Sequence, residues 1–357
     1  MTQNTSKSLF PTHVNSSVGC RVLAMAAAVT CALLASAPNA SAAVINQTLC
    51  VSTNNKTMSD GQVVTFWGFT PTCRVAGNGE IPGPPVEVGI GDTLNLTLSF
   101  PMGMPMTTPM EPMPYMGHTI HLHGADVPTA EDGVPETGAT VMGDTYTWLP
   151  TGEMGGTYMY HCHVHTVKHL EMGMYGPLIV RPKNALGNFL NQLTPDAATT
   201  FDFVQTYLLS SVDPAYHTAI GDSPVFADYN PKYFLLNGKE SVTSTGATVS
   251  AETLAATQNS KVALRLIGLH AVKGTFKILD SAGNAKPFTV YVQDGRQWPT
   301  PETVTSLDIG PAQRFDIIFT TPSSPGTWYP EFEYQKLRDP SPGVKAPYAK
   351  VFGSVTF

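Results

Sequence analysis

The 357-residue chain is predicted to be all-β, with two Greek-key β-sandwich domains. Its short apolar segments alternate along the chain or are rich in β-branched and aromatic residues, as the strands of a sandwich are. Glycine and proline, 31 and 30 in number, separate these segments at short intervals. The predicted strands span 63–69, 93–100, 145–148 and 178–181 in the first half, and 201–208, 233–236, 262–267, 288–292, 315–320 and 353–357 in the second.

The N-terminal segment, residues 1–42, is predicted to be a secretory signal peptide. Lys7 and Arg21 precede an apolar run over 22–34, and small residues around Ala42 form a cleavage site. The run is too short to span a membrane, and we expect no membrane span after cleavage. Cleavage removes two cations and no acid, which takes the net charge from −7 to −9 and argues against a nucleic-acid partner. We expect the mature protein to be periplasmic or secreted.

The cysteines agree with an oxidising compartment. Cys20 and Cys31 leave with the signal peptide, so the mature chain keeps Cys50, Cys73 and Cys162. Cys162 stands between two histidines, which marks it as a metal ligand rather than a disulfide partner. Cys50 and Cys73 are then free to form a disulfide. Two buried free thiols are the alternative.

Seven of the ten histidines lie between residues 118 and 169, most of them in two short segments. Successive side chains of a strand point to opposite faces. One face therefore collects a cysteine and one histidine, and the other face collects four histidines. The two segments contain His118, His121 and His123, and then His161, Cys162 and His163.

The mixed face predicts a blue copper site. Copper bound by two histidines, a cysteine and a weak axial methionine has this ligand set. His118 and Cys162 share the face, and His169 and Met174 follow at a spacing that completes the set. His165 lies in the same segment and is an alternative to His169. Zinc, which also binds histidine and cysteine, is the rival metal.

Residues 117–124 resemble the His-x2-His-x-His-Gly element of multicopper oxidases, and residues 158–177 resemble their His-Cys-His-xn-His-x4-Met element. Residues 81–98 are similar to the family's opening cupredoxin strands. The resemblance implies a copper-binding cupredoxin domain over 43–182. Six residues separate Cys162 from His169, where the family commonly has four. In the family's pattern the type 1 copper ligands match His118, Cys162, His169 and Met174, and one half of a trinuclear copper cluster matches His121, His123, His161 and His163.

The second half of the chain resembles a cupredoxin-like domain of the same family that lacks ligands. It spans 199–357 after a linker over 183–198, and 229–238 and 309–316 carry the resemblance. The family's trinuclear cluster takes eight histidines from two domains, whereas this half offers only His217 and His270. The resemblance therefore implies that neighbouring copies, with a trimer as the expected homo-oligomer, or a partner chain complete the cluster.

The resemblance implies a copper-dependent oxidoreductase that takes electrons from a small-molecule or metal-ion reductant. The type 1 copper passes them to a histidine-bound copper site that reduces oxygen. Asp132 resembles the acidic residue that relays protons near this site, and Asp126 is a second candidate. Two alternatives stay open: a periplasmic copper-binding or electron-transfer protein without an oxidase site, and an enzyme similar to nitrite reductases.

A methionine-rich segment over 102–116 comes directly before the first histidines. Six methionines occur there, interleaved with prolines that exclude a helix. Thioethers prefer Cu(I), which favours a loop that collects Cu(I) and a cuprous or other metal oxidase. Methionine also fills irregular gaps, so an apolar lid is the alternative.

Overall fold

The computed structural model describes residues 42–73, 77–99, 117–136, 143–218, 229–242, 245–335 and 347–357. The predicted signal peptide, except its last residue, and the methionine-rich segment over 102–116 lie outside the described residues. The described part consists mostly of strands, which confirms the all-β prediction. In this part neither α-helix is long and apolar enough to cross a membrane.

The first half folds into two four-stranded sheets that face each other across one core. In β4 every second residue is buried, because its leucines alternate with polar residues. The core contains Leu96 and Trp148 from one sheet and Val88 and Tyr160 from the other. The sheet orders are β2-β1-β4-β6 and β3-β8-β7-β5. The strands are β1 (Val44–Thr57), β2 (Val63–Thr70), β3 (Val86–Gly89), β4 (Thr93–Ser99), β5 (His121–His123), β6 (Thr145–Trp148), β7 (Gly156–His161) and β8 (Tyr175–Arg181).

The second half forms another sandwich, with sheet orders β10-β9-β12-β18-β15-β16 and β11-β20-β19-β13-β14, and β17 pairs with β13. Phe276, Phe288, Ile317 and Phe332 are buried between the sheets. Both halves are thus cupredoxin-like sandwiches. The strands are β9 (Phe203–Val212), β10 (Tyr233–Leu236), β11 (Glu252–Ala255), β12 (Lys261–Gly268), β13 (Lys273–Leu279), β14 (Ala285–Lys286), β15 (Phe288–Gln293), β16 (Arg296–Val304), β17 (Leu307–Ile309), β18 (Arg314–Thr320), β19 (Thr327–Gln335) and β20 (Pro347–Thr356).

Two short helices lie near the junction of the halves. Helix α1 (Thr166–Met172) belongs to the first half and α2 (Pro214–Thr218) to the second. Helix α1 ends at Gly173, whose φ of 108° favours glycine, and a Cβ there would lie 2.8 Å from the Trp67 carbonyl oxygen. The chain can therefore turn closely over β2 from α1 into β8.

The second half packs against β7, the strand that ends at His161. Thr157 of β7 donates a hydrogen bond to Asp316, and Arg265 Nη1 lies 3.1 Å from Thr157 Oγ1 and 3.5 Å from Asp316 Oδ2. All three side chains are buried. Tyr158 Oη donates to the Gly295 carbonyl oxygen at 3.0 Å. Thr157 thus hydrogen-bonds both members of a buried charge pair of the second half, which favours one relative placement of the halves.

The predicted disulfide is present between Cys50 and Cys73, with their Cα atoms 5.4 Å apart. It connects β1 to the segment after β2. The long first strand was not predicted, because polar residues flank a short apolar stretch over 49–51 and strict alternation is lacking.

Candidate metal centre

Three predicted ligands from separate elements come together at the end of β7. Cys162 Sγ lies 3.0 Å from His169 Nδ1 on α1 and 3.7 Å from His118 Nδ1. The ligand atoms of the three lie within 4.8 Å of one another. Cys162 and His169 are fully buried, and His118 is half-buried. We call these residues, which can hold one metal ion, the sulfur-containing group.

The backbone around the sulfur-containing group holds its members in position. The Cys162 amide donates to the Met174 carbonyl oxygen at 3.1 Å, and the Met174 amide donates to the His169 carbonyl oxygen at 3.0 Å. The Thr119 amide lies 3.5 Å from Cys162 Sγ. The Trp67 ring packs edge-on against His169, with centroids 5.2 Å apart. Met174 is itself fully buried beside the group.

The geometry favours His169 over His165. His165 precedes α1 in a left-handed conformation, with φ of 42°. Its ring centroid lies 5.9 Å from that of His169, and His169 makes the close approach to Cys162.

A second cluster, the histidine group, contains the four histidines predicted for the opposite face. Antiparallel pairing of β5 with β7 sets His121 opposite His161, and His123 Nδ1 lies 3.1 Å from His161 Nε2. The ligand atoms of these three lie within 4.8 Å of one another. His163 follows the end of β7, with its ring centroid 5.0 Å from that of His121. Strand pairing thus gathers histidines that are forty residues apart in sequence.

Two rings of the histidine group donate their Nδ1–H to backbone carbonyls, so Nε2 of each neutral ring carries the lone pair. His121 Nδ1 donates to the Asp132 carbonyl oxygen at 2.6 Å, and His161 Nδ1 donates to the Cys162 carbonyl oxygen at 2.9 Å. A metal-binding histidine commonly donates its other ring N–H to a carbonyl or carboxylate in this way.

Burial lowers the pKa values of three imidazoles of the histidine group. Desolvation lowers the pKa of His121, lowers that of His161 well below its usual range, and together with the charge of Arg314 lowers the pKa of His123 to about 4. Burial by itself raises the pKa of the Cys162 thiol, but the neighbouring His169 and His118 rings outweigh it and bring that pKa well below its usual value. Neutral imidazole and thiolate are the forms that bind metal.

The two predicted acidic residues lie in different surroundings. Asp132 Oδ1 is 3.4 Å from His121 Nδ1, beside the histidine group. Asp126 lies at the junction of the two halves, where its carboxylate, 66% exposed, is 2.5 Å from Arg296 Nη2. Of the two, Asp132 is the one in contact with a candidate ligand.

A cavity of about 440 Å³ opens in front of the histidine group. The four histidines form one wall, and the second half of the chain contributes another. Glu171 of α1 also lines the space. The sequence did not predict that Glu171 or residues of the second half line this cavity, because nothing in their local pattern links them to the four histidines. The cavity residues from the second half include Tyr216, Tyr229, His270, Pro311 and Ala312.

His217 and His270, the histidines of the second half, are held by backbone carbonyls. His270 is buried, donates through Nδ1 to the Val272 carbonyl oxygen and lines the cavity. His217 Nδ1 donates to the Thr65 carbonyl oxygen at 2.7 Å.

Two family models, both described as multicopper oxidase, match residues 59–185 and 215–346, which together are most of the chain. The chain belongs to the multicopper oxidase family. Its solved structural neighbours include a blue copper oxidase from Nitrosomonas europaea, with a TM-score of 0.61 and 22% identity over 87% of this chain and 85% of that one. This likeness agrees with two cupredoxin-like domains.

Relatives of this chain include copper-containing nitrite reductases and laccases. A copper-containing nitrite reductase of Neisseria meningitidis is 31% identical over 131 residues, which are 36% of this chain and 28% of the relative. Laccase-2 of Thanatephorus cucumeris is 26% identical over 263 residues, 71% of this chain and 40% of the relative. The chain thus matches less than half the length of either relative.

Family membership implies copper, and the donor atoms fit it. A thiolate with two imidazoles suits copper in both oxidation states, and clustered neutral imidazoles suit copper without sulfur.

Proposed function

We propose that the protein is a copper-dependent oxidoreductase with two linked copper sites. His118, Cys162 and His169, with Met174 as the weak axial ligand, hold a type 1 copper. When bound, copper supplies one-electron redox chemistry, accepting electrons from a reductant at the type 1 site and reducing oxygen at the histidine-bound site. The histidine-bound site uses His121, His123, His161 and His163.

The observation that supports this proposal is the direct covalent link between the two groups. Cys162 belongs to the sulfur-containing group, and its chain neighbours His161 and His163 belong to the histidine group. The hydrogen bond from His161 Nδ1 to the Cys162 carbonyl oxygen adds a second short connection between the two groups. With copper bound in both groups, an electron would have a path of no more than two residues of backbone between them.

The remaining residues have supporting roles. The Asp132 carbonyl oxygen orients His121, and its carboxylate, which lies against the same ring, relays protons to the cavity. We propose a metal-ion reductant, Cu(I) in particular, because six thioethers precede His118 in the sequence. The signal-like N-terminus supports a periplasmic or secreted location.

A second copy of the chain is proposed to complete the histidine-bound site. The described part of the second half contributes only His270 to the histidines around the cavity. A homotrimer with rotational symmetry would bring another copy to the open side of each cavity.

Nitrite reduction is the second candidate function. It is favoured by the match to a copper-containing nitrite reductase over 131 residues. A single histidine-bound copper needs fewer ligands than a trinuclear cluster, and three ligand atoms already lie within 4.8 Å in one chain.

One set of measurements separates the proposals. Copper per chain is determined on copper-loaded protein together with the oligomer mass by light scattering. Oxygen uptake is then followed with Cu(I) and with a hydroquinone, and nitrite consumption is followed anaerobically. The oxidase proposal requires at least two coppers per chain and oxygen uptake, whereas nitrite consumption alone supports the second candidate. One copper per chain with neither activity would leave an electron-transfer protein and refute both.

A further inference from the structure

We propose that Glu171 and Tyr229 are positioning residues. Through them the second half of the chain holds α1, the helix that carries His169, in place. They thereby affect the potential and the copper affinity of the sulfur-containing group. This inference rests on the proposed type 1 copper. Glu171 lies on α1, two residues after His169, and Tyr229 lies beyond α2 in the second half. Neither residue belongs to the ligand set.

Helix α1 needs support from outside itself. It has seven residues, and isolated helices of that length are not stable in water. It nevertheless presents His169 and leads through Gly173 to Met174. Any displacement of α1 therefore moves one ligand directly and shifts the backbone at Met174, which bonds both Cys162 and His169.

The Glu171 carboxylate connects α1 to the second half through both of its oxygens. Oε2 accepts a hydrogen bond from Tyr229 Oη at 3.0 Å, and Oε1 accepts one from the Asp213 amide at 2.7 Å. His217 Nε2 lies 3.5 Å from Oε1. The side chain is only 7% exposed, so water does not replace these partners readily.

The rest of the contact encloses α1 between β2 and α2. Lys168, next to His169 in the chain, is buried and donates to the Tyr216 carbonyl oxygen of α2. His217 of α2 donates to the Thr65 carbonyl oxygen of β2 and packs edge-on against Phe66. On the other side of α1, the Trp67 ring of β2 contacts His169. The second half thus restrains the ligand helix although it supplies no ligand to the sulfur-containing group.

Residues that hold metal ligands in place affect more than folding. Removing such an outer partner typically changes metal affinity by about 10- to 100-fold. The Tyr229 hydroxyl acts through Glu171 rather than on His169 itself, so we expect a change near the lower limit. If the contact only joins the two halves, its loss lowers stability and leaves the properties of bound copper unchanged.

The test compares Tyr229→Phe and Glu171→Gln with a matched control, Tyr334→Phe, in the copper-loaded full chain. The Tyr334 hydroxyl is also buried in the second half, and it donates to the Ser210 and Leu235 carbonyl oxygens rather than to Glu171. The readouts are the midpoint potential, the blue absorption and copper electron paramagnetic resonance spectra, and the rate of copper loss to a chelator. Circular dichroism monitors folding.

We expect Tyr229→Phe and Glu171→Gln to shift the potential and the spectra and to speed copper loss by about tenfold. Tyr334→Phe should match the parent in all three. In a double-mutant cycle, the combined variant should show less than the sum of the two single effects, because both break the same contact. If both single variants keep the parent potential and spectra, the inference is wrong while the proposed function stands. If the copper-loaded parent has no blue absorption, the proposed function itself fails.

Discussion

The two halves of the molecule share a sandwich fold but differ in what occupies the equivalent strands. In the first half, β5 and the end of β7 carry histidines and Cys162, and both candidate metal groups lie there. In the second half, β13 and β19 carry Phe276, Ile278, Phe332 and Tyr334, which fill its core. One fold thus serves as a metal scaffold in one half and as a packed support in the other.

The difference also shows how a histidine behaves without a metal group around it. His270 packs on Phe332 with ring centroids 5.0 Å apart, and burial lowers its pKa to about 4. The histidine group gathers four rings on one wall of the cavity, whereas His270 reaches the cavity from an aromatic environment in the second half. The arrangement of the neighbours, rather than burial itself, separates a candidate ligand from a structural histidine.

The largest expected effect tests whether the first half is the metal-bearing one. Cys162→Ser removes the thiolate and should abolish the blue absorption completely, because that colour arises from the copper–thiolate bond. The absorption spectrum of the copper-loaded variant measures it. A blue band that survived in a folded variant would contradict the type 1 assignment.

Two single variants test whether His169 or His165 is the second histidine ligand of the sulfur-containing group. His169→Ala should bleach the band, while His165→Ala should leave it, because His169 Nδ1 lies 3.0 Å from Cys162 Sγ and completes the cluster with His118. The opposite result would mean that His165 is the ligand.

Asp132→Asn should lower turnover by about 100-fold or more while the blue band persists, since it removes a proton relay and no ligand. The Asp132 carbonyl oxygen that holds His121 is retained in this variant. Asp126→Asn is the matched control, because Asp126 pairs with Arg296 at the junction. Equal losses in both variants would show that a carboxylate beside His121 has no special role.

His270→Leu should remove part of the acid sensitivity of the metal-free protein. The folded-state pKa of about 4 lies below the usual 6.5, so the unfolded chain takes up the proton first and stability falls as pH drops from 6.5 to 4. Between pH 7 and about 4.5 this histidine accounts for about 2 kcal/mol of that fall. Urea unfolding at both pH values measures the free energy of unfolding. If that free energy fell between the two pH values by the same amount in the variant as in the parent, His270 would be excluded as a source of the acid sensitivity.

The smallest structural effect is expected from the methionine-rich segment, which lies outside the described residues. Replacing several of its methionines with leucine conserves apolar bulk and should cost under about 1.5 kcal/mol per substitution. Turnover of Cu(I) should fall while oxidation of an organic reductant and the blue band persist. If both turnovers stayed unchanged, the segment would have no part in handling copper.

Sequence patterns predicted the strands and the histidines better than the surroundings of the histidines. The predicted strands 145–148 and 233–236 match β6 and β10, because their apolar residues are flanked by clear turns. The structure brings Cys162 together with His118 and His169, and His161 together with His121 and His123. Helix α1 was not predicted, since His165 starts it in a left-handed conformation that no periodicity signals.

The cavity opposite the histidine group was beyond sequence reasoning for a different reason. Tyr229 and His270 reach it from more than sixty residues beyond His163, and only the packing of the second half against β7 brings them there. Local sequence patterns carry no information about such a contact. The second half, expected to lack copper ligands, also forms part of the wall of the candidate site.

The backbone bonds around Cys162 have a consequence for the speed of electron exchange. The Met174 carbonyl oxygen, the Thr119 amide and the Trp67 ring fix the positions of Cys162 and His169 through contacts that do not depend on the oxidation state of a metal. A copper held there would gain or lose an electron with little movement of its ligands. The reorganisation energy would then be small, and the distance to the electron donor would govern the rate.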